Sequence, residues 1–387
     1  MNRVCRGGTI RAMSRPRWLL RRFALLSLLL MTLVAPATGA DVVPFSSGAW
    51  TIQADESRVE QHLGRESLFL SGGTAWLEDS RFTHGVIEYD IAFTGERGFM
   101  AVLWRMQDRQ NYEEFYVRPH MSGQPDANQY TPAFHGLTSW QLYHGAGYAA
   151  PVTYRNNEWN HIKVVVSGLQ AEVYINDMDE PALFIPEQKR AIQVGRVGIN
   201  AFFASAHYSN FRFDPGKPPA FKGSEPEMPQ APPGVITTWS VSDAFDSNDL
   251  EGAHRLTTAH KDGRVWKSLE VERSGLANLA RIQGIGEGAN TVFARVTLRS
   301  KKQQVKKVRF GFSDRVRVYL DDRLIYAGDN SYRSRDYRYL GTIGYFDEVF
   351  LPLREGDNEL WFAVSESFGG WGLQAALDEP QGVSVHP

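Results

Sequence analysis

"NHIKVVVSGLQAEVYIND", residues 160–177, sets two β-branched, apolar runs on either side of a break too short for anything but a turn. "NHIKVVVSG" (160–168) and "AEVYIND" (171–177) read as strands, and "SGLQ" (167–170) as the hairpin turn between them. The pattern repeats outward. "GVIEYDIAF" (85–93) alternates Ile87, Tyr89, Ile91 and Phe93 against Glu88, Asp90 and Ala92, the period of a half-buried strand. "GFMAVLWRM" (98–106), "NYEEFYVR" (111–118), "GRVGINAFF" (195–203) and "AHYSNFRF" (206–213) follow in the same style. No stretch shows a capped 3.6-residue period. Many short antiparallel strands separated by turn signals predict an all-β sandwich or jelly roll.

A composition break divides the chain. "DPGKPPAFKGSEPEMPQAPPG" (214–234) carries seven of the 19 prolines and reads as a semi-extended linker. One β domain is expected over 41–214, the linker over 215–234 and a second β domain over 235–387. In the second, "KVRFGFSD" (307–314) is a strand and "RVRVYLDDRLIYAG" (315–328) a hairpin turning at Asp321-Asp322. "EVFLPL" and "NELWFAVSE" pair across "REGD" (354–357), and "GGWGLQAAL" (369–377) closes the sheet.

Residues 1–40 read as an export leader. Arginines 15, 17, 21 and 22 precede the apolar run "FALLSLLLMTLVA", and small residues at Thr38 and Ala40 mark cleavage after Ala40. The apolar run is shorter than the roughly 20 residues of a spanning helix. A soluble chain is therefore expected after cleavage, periplasmic or secreted, with no membrane insertion. The formal charge of −2 includes seven leader arginines, so the mature chain holds 35 basic against 44 acidic residues, a net of −9. That argues against nucleic-acid and anionic-membrane partners. The single cysteine, Cys5, lies in the leader, which leaves no disulfide and no thiol chemistry.

On these residues the first domain resembles the concanavalin A-like lectin/glucanase sandwich. "EWNHIKVVVSGLQAEVYIND" (158–177) looks like that superfamily's W-N…V-Y-I-N hairpin, and "GRVGINAFFASAHYSNFRF" (195–213) like its usual ending. Within that superfamily the chain resembles the 3-keto-disaccharide hydrolase-like domain, through "LWR" (103–105) and "NYEEF" (111–115). That resemblance would bring Arg105 and Glu113 onto the concave face as sugar-contacting or catalytic groups. "YVRPHMSGQPDANQYTPAFHGLTSWQLYHG" (116–145) departs from the family. The second domain resembles galactose-binding-like jelly rolls in "VRVYLDDRLIYAGDN" (316–330) and "PLREGDNELWFAV" (352–364), with Asp322 where glycine is usual.

No nucleophile elbow, zincin helix, phosphate loop or dinucleotide fingerprint occurs. Glu88 and Asp90 share a strand face, and a solvated outer face accounts for them. Glu113 and Glu114 fall on opposite faces of one strand, so only one can enter a cleft. The residues richest in recognition chemistry lie in 118–151. Arg118, His120, Asp126, Asn128, Gln129, Tyr130, Gln141, Tyr143 and His144 supply the aromatic, amide, carboxylate and guanidinium groups that bind sugars. "SWQLYHG" alternates, with Trp140 and Leu142 to the core and Gln141 and Tyr143 to a cleft. Asp126 and Asn128 are oxygen donors that could hold calcium; no other cofactor is implied. "DNSYRSRDYRY" (329–339) is a second candidate surface, or a contact between the domains. The reading is non-catalytic binding of a carbohydrate or glycoconjugate. Cleavage of a 3-keto-disaccharide and an envelope protein-interaction role are the alternatives.

Overall fold

The computed structural model describes residues 40–336 and 340–387. The leader therefore lies outside the described residues except for Ala40, as do Tyr337, Arg338 and Tyr339 of the second candidate surface. Ala40–Pro387 forms one compact unit. Among the described residues no helix is long and apolar enough to cross a membrane.

Twelve strands build the N-terminal sandwich. They are β1 (Trp50–His62), β2 (Arg65–Leu77), β3 (Gly85–Ala92), β4 (Phe99–Asp108), β5 (Asn111–Val117), β6 (Asn128–Phe134), β7 (Leu137–Thr138), β8 (Trp159–Ser167), β9 (Gln170–Ile175), β10 (Leu183–Ile185), β11 (Arg196–Phe202) and β12 (Ala206–Asp214). All pairs are antiparallel, in the order β10-β9-β8-β3-β12-β2-β11-β4-β5-β6-β7, with β1 along the other edge of β2. The long β2 serves both layers. Its Leu68–Leu70 stretch meets β12 and its Gly73–Trp76 stretch meets β11. Between them Gly72 has φ +62, a conformation a side chain would strain. The back layer then folds over the front. Ile87, Tyr89, Ile91, Ile162, Val164 and Val166 face Val102, Trp104, Phe115, Val117 and Ile199 in one buried core. The β8–β9 hairpin turns at Gly168, φ +60, as its sequence predicts.

A second antiparallel sandwich follows. A seven-stranded sheet contains Thr291–Ser300, Gly356–Ser365 and the hairpin Arg315–Leu320/Arg323–Asp329. A four-stranded sheet runs Ala277–Asn278, Gly372–Leu377, Gln304–Phe312, Asp347–Leu353. Their inner faces share a separate core including Trp239, Val296, Phe310, Phe362 and Leu373. Asp321 and Asp322 take φ +46 and +70, so the tight turn forms with aspartates in place of glycine.

Residues 128–134, within the recognition-rich 118–151, form a strand: β6 pairs with β5 along its length, and Pro132 is tolerated because only the two-residue β7 lies beyond. One reading is corrected. "SWQLYHG" is not a strand; Leu142 and Tyr143 both donate to Ser139 O in a tight turn. The proline-rich segment is strapped down as well. The Lys222 and Gly223 amides donate to Glu172 Oε1 (2.8 and 2.5 Å), and Phe221 packs on Phe184.

Candidate functional site

Strand alternation decides which side chains of β4 and β5 turn away from the core. Phe115 and Val117 of β5 point into the core, so Glu113 does too, and Tyr112, Glu114 and Tyr116 point outward. The register aligns two outward rows across β2, β11, β4, β5 and β6. One is Trp76–Gly198–Leu103–Glu114–Thr131, the next Thr74–Asn200–Ala101–Tyr116–Gln129. Gly198 and Ala101 keep the middle of both rows low. Trp76, Ala101, Leu103, Met106 and Tyr116 form a small cluster of their own, with Phe99 and Tyr112 packed on it. The outer face of an antiparallel sheet is ordinarily solvated and polar. This one is aromatic.

Tyr116 is held in place. Its hydroxyl donates to Gln129 Oε1 (2.7 Å) and accepts from Arg118 Nη2 (2.7 Å), which also donates to Gln129 Oε1 (2.6 Å). Arg118 lies over the Tyr116 ring, 5.0 Å from its centroid. Phe99 meets Tyr116, His120 and Phe203 edge-on, each at 5.7 Å, and Phe203 is 81% exposed. Within this setting Glu114 is only 5% exposed. Burial pushes its carboxyl up to about 7, offset in part by the Asn200 amide. Glu114 Oε2 and Asn200 Oδ1 are buried without hydrogen-bond partners. Buried polar atoms are nearly always paired, so two unpaired acceptors on neighbouring rows require an explanation.

Most residues singled out from the sequence are structural. Arg105 is fully buried, donating to Thr83 O (2.8 Å) and Gly168 O (2.5 Å). Glu113 is fully buried, accepting from Tyr130 OH (2.7 Å) and the Arg190 amide (3.0 Å). Burial raises the Glu113 carboxyl, so it belongs to an interior network rather than an open face. Tyr130 in turn accepts from the Lys189 amide. Asn128 is closed on Ala150 through both ends of its amide. Gln129 Nε2 donates to Trp140 O and Tyr143 O. Gln141 donates to Leu340 O, and Tyr143 to Glu272 Oε1 (2.5 Å), so both face the C-terminal sandwich instead of a sugar. His144 is exposed beside Ile343 O (3.2 Å). Arg118, His120 and Gln129 support the rim of the outward rows. Asp126 pairs with Arg118 (3.5 Å), so it and Asn128 are engaged elsewhere rather than converging on a cation. Among the described residues no group of three His, Cys, Asp or Glu side chains is placed to hold a metal. Trp76, Tyr112, Glu114, Tyr116 and Asn200 were not selected from the sequence. The parity of "NYEEFYV" carries the signal, because Phe115 and Val117 fix which glutamate turns out.

No protein-family model and no curated protein matches the chain. Among solved structures it is similar to the carbohydrate-binding module CBM66 from Bacillus subtilis (16% identity, TM-score 0.33, 42% of this chain and 93% of that one). It is also similar to a Bacillus licheniformis β-glucanase (11%, 0.33, 46% and 98%) and to the Caenorhabditis elegans galectin LEC-6 (10%, 0.28, 43% and 96%). The chain's own sheets form the antiparallel, all-β sandwiches that its sequence predicts.

Proposed function

We propose that this is an exported, two-domain protein that binds a carbohydrate or glycoconjugate on the outer face of its front layer, without catalysis. The observation that carries the reading is a sheet face turned away from the core, where Trp76 and Tyr116 (each 5% exposed) and Tyr112 pack around buried, unpaired acceptors from Glu114 and Asn200. Aromatic rings suit the C–H faces of a sugar ring, and a few convergent polar groups suit its hydroxyls. Sugar hydroxyls are donors, which is what the two acceptors lack. A glycan array probed with the native protein and with Trp76→Ala and Tyr116→Ala tests this. Binding should be specific and lost in both variants. No binding by a folded native protein, or binding unchanged in both, overturns it.

One observation favours a second reading. A carboxyl near pH 7 is poised for general acid–base work, as the Glu114 group is. Turnover of a 3-keto-disaccharide that vanishes in Glu114→Gln would establish the enzyme reading.

A further inference from the structure

A crevice of about 570 Å³ lies between the two sandwiches, away from the outward rows of β4 and β5. Its floor is the outer face of the four-stranded sheet. Leu373, Ala375 and Leu377 point into the C-terminal core, so Gln374 points out into the crevice. Gln374 is 6% exposed, and its amide makes no hydrogen bond with any described residue. Nearby, the Tyr345 hydroxyl is buried without a partner. Arg273, at the mouth, makes no ion pair among the described residues. The walls are Leu142, Tyr148, Leu276 and Ile343. Met228, Pro229 and Pro232 of the proline-rich segment line it as well, so both sandwiches and the segment between them contribute.

We infer that this crevice is a second binding site, for a saccharide of one or two rings. The volume falls in the range of small-ligand sites, and clefts between packed units are where such sites concentrate. The lining polar groups narrow the chemistry. A purely apolar ligand would cut the Gln374 amide off from solvent and leave it and the Tyr345 hydroxyl unmatched. A multiply charged anion has too few free cations to meet. Lys189 is already paired with Glu187 (2.8 Å) and Glu272 (2.9 Å), and Arg309 with Asp378 (2.8 Å). An amide, a phenol and one guanidinium, set among a tyrosine ring and aliphatic walls, match ring hydroxyls against C–H surface.

Isothermal titration of the purified protein with galactose, N-acetylglucosamine, glucuronate and their β-linked disaccharides tests the assignment. At least one should bind with an affinity that falls tenfold or more in Gln374→Leu and measurably in Arg273→Ala. Arg273 is exposed, so its variant keeps the test decisive if Gln374→Leu fails to fold. No heat with any of these sugars, or an affinity untouched by both crevice variants, overturns the site. Failure of the outer-face reading is separate: it would appear, in the Gln374→Leu background, as glycan binding indifferent to Trp76→Ala.

Discussion

Glu114→Gln changes the charge of the outer face and leaves its shape intact. Burial lifts the Glu114 carboxyl from 4.5 to about 7. Between those pH values the folded chain keeps a proton that the unfolded chain has released. Stability therefore falls as pH rises through that window, and the loss is complete above about 7. Each unit is worth about 1.4 kcal/mol, so the whole shift amounts to about 3 kcal/mol. Glutamine does not titrate. Its neighbours Tyr112 and Tyr116 are pushed further up by burial, so neither ionises in this range. Urea unfolding of both proteins at pH 4.5 and pH 8 isolates the effect, because every other titration cancels in the difference. The variant should gain about 3 kcal/mol relative to the native protein between the two pH values. A difference that stays constant with pH would refute the reasoning, and would mean that the carboxylate is hydrated or paired in the folded chain.

Leu142→Ala should destabilise the protein by about 2–5 kcal/mol in denaturant titrations, because this buried side chain fills the seam beside Leu276 and Ile343. Gly369→Ala should loosen the same seam. Gly369 has φ +107, and the Gln141 side chain occupies the space a Cβ would take, so limited proteolysis should cut faster within 137–151. His161 is raised to about 9, first by its hydrogen bond to Asp90 and then by Glu88. Its contribution is full below pH 6.5 and lost as pH rises through 9, so the stability gap to His161→Gln should close between pH 6 and pH 10.

The fold was legible because its signals are local. Ile87, Tyr89 and Ile91 alternate and are buried as their period requires, and "SGLQ" turns where it must. The site was less legible, because the same residue types serve recognition and docking. Gln141 and Tyr143 carry the groups a sugar would need. They spend them on Leu340 and Glu272, partners some 200 and 130 residues away that no local pattern reveals. Glu113 and Glu114 differ by one position, and in a strand one position exchanges interior for exterior. The family resemblance pointed to the first, and the parity set by Phe115 to the second. Trp76 and Asn200 come onto the same face as Glu114 only through β11 and β4, a long-range pairing that strand alternation alone does not specify.

A crystal structure of the protein with a glycan selected on the array tests the central claim most directly. The account predicts a sugar ring over the row Trp76–Gly198–Leu103–Glu114, with hydroxyls on Glu114 and Asn200. Density for the glycan elsewhere, with that row empty, would contradict it.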